Sequence, residues 1–465
     1  MLPAPPQTVP TESASTHTIP GFCRTDWLTF WVTTVLVLLV YLATLAPQVT
    51  LGFSGIFSVS AMYLGVAHPP GYPLATLYEW LFVTLLPFGN IAWRVAVSSA
   101  VAGAVACGLI GLMVSRAGGT LNNEKPSLPK EAFWLRVISG YAAGMVFGVN
   151  GAFWNRAVVA DVWTLSVLLF CIVVCLLMRW TFNPERKGYL YWAFFVYGLS
   201  ITNSQMLLAA APAFPVIALL RDRHLGRDMF FGYSIVFALG ALMVVMRVPL
   251  FVGPLSYLSS TSVILLLVYG AISTTTAFVL AIAMKRFFTT WKTVTVCGVL
   301  FALGLMPYLL VPIFSMTNPP INWGYPRTVD GSFHVITRGQ YCQIKPPTDV
   351  LIFLKQVRTY GKITAKEFGW PYLLIAVVPF AFLRRIPAHE RRWMLALLVM
   401  YVCLTLLTLA VLNPVEARET WSGIKVFFSL SYAMLAVWLG YGLLLLGRLW
   451  GTRAEVAGGA TVVGE

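Results

Sequence analysis

The apolar positions of this chain fall in long, nearly unbroken stretches separated by short polar breaks. About 20 consecutive apolar residues cross the hydrocarbon core of a bilayer as a helix. Segments of that kind, a few of them shorter, are expected near 27–47, 92–115, 134–150, 161–180, 189–203, 205–220, 229–248, 261–284, 293–314, 370–383, 393–412 and 425–447. The pattern predicts an all-α polytopic membrane protein of about twelve transmembrane helices. The segment 74–88, LATLYEWLFVTLLPF, is too short and too closely bounded by prolines to cross readily. It reads as an interfacial helix inside the first external loop.

Composition agrees with the pattern. Of 465 residues, 58% are hydrophobic and only 11% charged, against about a quarter charged in a soluble domain. The formal charge of +15 does not point to nucleic acid, because the basic residues sit in short runs at the ends of apolar segments: RDRHLGRD at 221–228, KRFFTTWK at 285–292 and RRIPAHERR at 384–392. Such runs mark cytoplasmic loops. They place both termini in the cytoplasm, with residues 1–26 as a disordered tail, 27–448 as the membrane domain and 449–465 as a second tail. The external loops are then 48–91, 151–160, 315–369 and 413–424. Counting 74–88 as a full span would reverse this order. The seven cysteines show no metal-ligand spacing, and Cys171 and Cys175 read as small hydrophobes within a helix. No P-loop, dinucleotide fingerprint or zinc-binding HExxH motif stands in a credible context.

The candidate chemistry lies on the external side. QVTLGFSGIFSVSAMYLGVAHPPGYP at 48–73 contains no acid and no lysine. In it Pro69, Pro70 and Gly71 form a stiffened corner that fixes His68, as a joint or as part of a site. Asp161, in NRAVVADVWTLS beside Arg156, stands at the mouth of a span, where a carboxylate is either a helix cap or functional. NPPINWGYPRT at 318–328 presents Asn322, Trp323 and Tyr325 in a Pro/Gly-stiffened loop. FHVITRGQY at 333–341 adds Arg338, whose planar fork suits a phosphate, and Tyr341. The run 355–367, KQVRTYGKITAKE, reads as a solvated amphipathic face. Glu416 and Glu419 are expected to pair with Arg418 or Lys425, and Glu79 faces either a cavity or water.

Taken in order, VTLGFSGIFSVSAMYLGVAHPPGYPL, LPFGNIAWR, FWNRAVVADVWTLS, GLSITNS and NPPINWGYPRT followed by TRGQY resemble the protein O-mannosyltransferase-like family of GT-C membrane glycosyltransferases, long catalogued as a domain of unknown function. The resemblance runs from about residue 40 to 345 and more weakly to 448. It implies a GT-C-like bundle in a bacterial inner membrane, with an extracytoplasmic active face. It also implies transfer of a sugar, mannose by resemblance, from a polyprenyl-phosphate donor to protein hydroxyls or another glycan acceptor. Carried over residue by residue, it makes Arg94, Arg156 and Arg338 the phosphate partners. Asn322, Trp323 and Tyr341 become further donor contacts, and Asp161 helped by His68 becomes the acid/base group.

The chain departs from the family at one point of consequence. An acidic pair of the form Asp-x-Gly-Glu is usual in the first loop, and here the stretch reads Phe53-Ser54-Gly55-Ile56. The His usual after the Asn of the GLS block is Ser204. A divalent metal therefore has no support from the first loop. Three readings stand: a divergent transferase using Asp161, a non-catalytic binder of lipid-linked sugar or glycan, and a lipid-sugar transporter. The scarcity of intramembrane charge weighs against the last.

Overall fold

The structure, a computed structural model, describes residues 21–121, 129–245, 260–339, 345–415 and 417–462. Tyr341, Glu416 and most of the 1–26 tail lie outside the described residues. The helices in chain order are α1 (Arg24–Ala43), α2 (Ser54–Tyr63), α3 (Pro73–Leu85), α4 (Ile91–Leu121), α5 (Pro129–Gly148), α6 (Gly151–Ala157), α7 (Trp163–Phe182), α8 (Gly188–Asn203), α9 (Ala213–Arg221) and α10 (Arg223–Val245). They continue with α11 (Ser260–Met284), α12 (Trp291–Gly304), α13 (Leu310–Met316), α14 (Val329–Ile336), α15 (Val350–Phe368), α16 (Trp370–Ala381), α17 (Ala388–Leu412), α18 (Arg418–Ile424) and α19 (Ser429–Val462). Among the described residues there is no strand, only an isolated parallel bridge between Val66 and Asn322.

A helix coincides with each of the twelve expected spans. Seven helices among the described residues are by themselves long and apolar enough to cross a membrane, or eight if α5 and α6, bent by 75° at Val149–Asn150, count as one broken span. Of the remaining expected spans, α10 is a continuous helix of 23 residues and others are short or interrupted. α8 has 16 residues and α16 has 12, and α9 follows a 3-10 turn over Gln205–Ala210. The chain is an all-α polytopic integral membrane protein.

Its centre is α4. The sequence VSSAVAGAVACGLIGLMVS supplies small residues that allow neighbouring backbones to approach, as membrane helix contacts require, and 83% of its apolar window is buried. Against it lie α1, α5, α7 and α19. α1 shows the division of labour along one helix: Thr33, Thr34, Val37 and Tyr41 turn inward, while Trp27, Trp31, Val35 and Leu39 remain on the outer surface, as expected of a lipid-facing side. The Tyr41 hydroxyl donates to the Gly148 carbonyl at 2.7 Å, so its polar atom is satisfied inside the bundle.

The 48–91 loop holds more structure than its turn-rich composition implies. It contains α2, and the 74–88 segment is helical as α3 over Pro73–Leu85. The 315–369 loop likewise forms α14 and α15. On α15 Lys355, Arg358, Lys362 and Lys366 are exposed, as the amphipathic reading requires, while Gln356, Tyr360, Thr364 and Phe368 are buried.

Candidate functional site

The polar groups expected on the external side form two clusters. The first joins the 48–73 loop to the 318–339 segment. Val66 N–H donates to the Ile321 carbonyl at 3.0 Å, and Trp323 N–H donates to the Val66 carbonyl at 3.0 Å. Gly65 permits this approach, since a Cβ there would lie 2.6 Å from the Ile321 oxygen. The corner that follows contains a cis Pro69–Pro70 bond, and Gly71 adopts φ 91°, a left-handed value that glycine tolerates without cost. Arg338 Nη2 donates to the Pro69 carbonyl at 3.4 Å, Asn322 Nδ2 to the Ser315 carbonyl at 2.9 Å, and Gln205 Nε2 to the Ile336 carbonyl at 2.6 Å.

His68 sits inside this cluster rather than at the surface. Its ring stacks on Phe53 with centroids 4.2 Å apart and meets Phe57 and Trp323 at its edges. Nε2 lies 3.3 Å from the Tyr72 hydroxyl, and Nδ1 is buried with no hydrogen-bond partner among the described residues. Burial, and then the charge of Arg338, lower its pKa to about 4, so the imidazole is neutral at pH 7. Phe53, at a position where the resembling family keeps an acid, provides the aromatic face that covers it.

The second cluster surrounds Asp161, which is buried. Oδ2 pairs with Arg156 Nη1 at 3.0 Å, and Oδ1 accepts from Trp163 N–H at 2.8 Å. The residue thus caps α7 and holds an ion pair at once. Its backbone is fixed by Ser99, whose hydroxyl bonds both to the Asp161 carbonyl and to its N–H. Asn203 of the GLSITNS block donates to the Val162 carbonyl and to Ser166 Oγ, anchoring the first turn of α7. Burial raises the Asp161 pKa, opposed by Arg156 and by the Trp163 N–H. Glu79, on the inward face of α3 with Ala75, Thr76 and Val83, is also buried. Its pKa is raised by burial and then by the Asp161 charge.

Arg156 also lines a cavity of about 1000 Å³ between the first loop, α6 and the 422–426 segment. Thr50, Asn155, Ser422 and Lys425 share its wall. Lys425 pairs with Glu367 of α15 at 2.9 Å. Glu367 in turn accepts from Ala152 N–H at the start of α6. Lys425, Glu367 and the buried Glu79 are the groups that sequence reasoning left outside the site. Arg94 is differently employed: its guanidinium donates to the Val83, Phe88 and Gly89 carbonyls and so closes the C-terminal end of α3. No group of three or more His, Cys, Asp or Glu able to hold a metal occurs among the described residues.

His68 and Asp161 are not hydrogen-bonded to one another; their chain neighbours Ala67 and Val162 belong to the same apolar cluster, with Phe57, Tyr72 and Ala75.

Apolar helices, buried polar clusters and a cavity at one end of the bundle define the class, an integral membrane protein. The comparisons with known proteins are more particular. Residues 54–226 match the family described as the protein O-mannosyl-transferase TMEM260 N-terminal domain, and the resemblance drawn from the sequence blocks is borne out over that stretch. Protein O-mannosyl-transferase TMEM260 of Mus musculus is 30% identical over 210 residues, covering 44% of this chain and 28% of the relative. The protein of the same name in Dictyostelium discoideum is 27% identical over 160 residues, 33% of this chain and 18% of the relative. The chain therefore aligns with less than a third of either relative. The apo crystal structure of ArnT from Cupriavidus metallidurans aligns with 91% of this chain and 77% of its own at 13% identity, with a TM-score of 0.29.

Proposed function

We propose that this protein is a membrane glycosyltransferase that moves a sugar, mannose, from a polyprenyl-phosphate donor to hydroxyl groups of an extracytoplasmic acceptor, protein in the first instance. The observation that carries the reading is Arg156, which lines the 1000 Å³ cavity and pairs with the buried Asp161 behind it, inside the stretch that matches the O-mannosyl-transferase family. Arg156 and Lys425 provide two positive charges for a donor phosphate. Asp161 provides a carboxylate whose basicity burial increases, which suits a general base.

In the transfer, the acceptor oxygen bonds to the sugar C1 as its proton passes to the Asp161 carboxylate. The bond from C1 to the donor phosphate oxygen breaks, and polyprenyl phosphate departs with the bonding pair, its added charge held by the two cations. Arg338, Asn322 and Trp323 belong to the neighbouring loop that shapes donor entry, neutral His68 fixes the facing corner of the first loop, and Tyr341, outside the described residues, is a further donor contact by resemblance. The cavity faces the extracytoplasmic side of a bacterial inner membrane and both termini are cytoplasmic. Support for this orientation comes from the basic runs at the opposite helix ends.

The stacking of Phe53 on His68 favours a second reading, in which the cavity binds a lipid-linked sugar without turning it over. Purified protein supplied with polyprenyl-phosphate mannose and a Ser/Thr peptide separates the two. Release of polyprenyl phosphate, slowed about 100-fold or more by Asp161→Asn, is the expected result. Donor binding without release would favour the binder, and an unchanged rate in the variant would remove Asp161 from the chemistry.

A further inference from the structure

A second polar cavity lies at the other end of the bundle. α7 has 20 residues, a rise of about 30 Å, so Thr181 and Phe182 at its C-terminal end stand roughly a membrane thickness from Asp161. Between α7, α9 and α17 there is a cavity of about 70 Å³ lined by Thr181, Phe182, Arg221, His389 and Arg392. That volume is several times the ~10–15 Å³ that admits one water.

The charged side chains lining this cavity are cationic, while the acids near it, Glu185, Asp222 and Glu390, stand outside its wall. The Arg221 side chain is held in place by its Nε, which donates to the Thr181 carbonyl at 2.7 Å, so it cannot readily turn away from Arg392. Arg392 has no ion pair among the described residues. His389 Nε2 is buried without a hydrogen-bond partner among them. No carboxylate lines the cavity. Glu390 is directed instead to Arg116 and Tyr441, and Asp222 accepts from the His224 and Leu225 N–H groups. The cavity also adjoins the N-terminus of α17, where backbone N–H groups lack helical acceptors and the helix dipole is positive. Two guanidiniums and an imidazole thus line one cavity, Arg392 at its exposed rim and Arg221 and His389 half-buried, and a tetrahedral oxyanion there would accept charge-assisted hydrogen bonds from all three.

We propose that this cavity is a binding site for a phosphate group, carried on a lipid headgroup or free in solution, and separate from the transfer site.

The test uses the full chain purified in a neutral detergent. Native mass spectrometry after addition of phosphatidylglycerol is compared with addition of diacylglycerol, which lacks phosphate. Melting temperature is measured with and without inorganic phosphate. Selective retention of the phospholipid, weakened about tenfold by Arg392→Gln and in the same direction by His389→Phe, supports the site with lipid as the source. Stabilisation by inorganic phosphate that Arg392→Gln abolishes supports it with the free anion as the source. Arg384→Gln removes an exposed charge from the same membrane face and is expected to change neither reading. An equal loss in Arg384→Gln, or binding and stabilisation that do not depend on phosphate, overturns the proposal.

Discussion

Glu79 and Asp161 are two carboxyls on the same side of the bundle, and only Asp161 has a cation within ion-pair distance among the described residues. Burial and the neighbouring negative charge raise the Glu79 pKa above its ordinary 4.5. The unfolded chain therefore loses this proton at lower pH than the folded one. The associated stability is whole below about pH 4.5 and declines as pH climbs through the raised folded value. Glu79→Gln removes that decline. Between about pH 5 and about pH 8 the melting temperature of the variant should fall less than that of the natural chain; parallel curves would show that Glu79 does not govern the slope. Neither the burial of Glu79 nor the role of Lys425 was legible in the sequence. The burial depends on how α3 lies on α4, and the cavity wall combines residues near 50, 156 and 425, which share no local period. Asp161 was legible because a lone acid at the start of an apolar run is conspicuous, and the Trp163 N–H bond shows that it steadies the start of α7 while it pairs with Arg156.

At the scale of the helices, α8 and α12 cross at two glycines. A Cβ on Gly198 would lie 2.1 Å from the Phe301 carbonyl oxygen, and one on Gly304 would lie 2.2 Å from that of Phe195. Backbone occupies the space, so a side chain there forces the helices apart. Gly198→Val is expected to cost about 1–3 kcal/mol or more. Gly298→Ala, on the same α12 but with open space around it, is expected to be neutral or to gain up to about 1 kcal/mol through helix propensity. Melting temperatures of the two variants in detergent check the contrast. Apolar run length was enough to locate a helix at every expected span, because in lipid the backbone must satisfy itself within the segment. It did not locate α2. SGIFSVSAMY carries a serine or glycine at nearly every other position, and its helix is imposed by packing against α3 and α4 rather than announced by a polar/apolar period.

The molecule as a whole is braced by buried charge at the end away from the cavity. Arg116 Nη1 pairs with Glu390 at 2.9 Å, and Glu390 also accepts from Thr120 and from Tyr441, the latter at 2.8 Å. These contacts join α4, α17 and α19. Asp26 bonds to Arg136 and Ser115 and joins α1, α5 and α4. In the sequence Glu390 is simply one letter of a basic loop, yet its carboxylate is completely buried. Glu390→Gln leaves the Arg116 charge without its counter-ion, and a loss of about 3–5 kcal/mol is expected, read as a lower melting temperature with the helix content preserved.

The loop-to-loop latch at the other end also has a consequence for biosynthesis. The Arg338–Pro69 contact spans 269 residues of chain, and the Val66–Asn322 bridge is of similar reach. At ~5–20 residues per second of translation, the first loop emerges on the order of tens of seconds before its partner is made. During that interval Val66 has no backbone to bond, and the corner at His68 lacks its outer wall. Completion of this loop contact is therefore a late event in the life of the nascent chain, and a translational pause before residue 339 would leave the preceding helices made and the contact unformed.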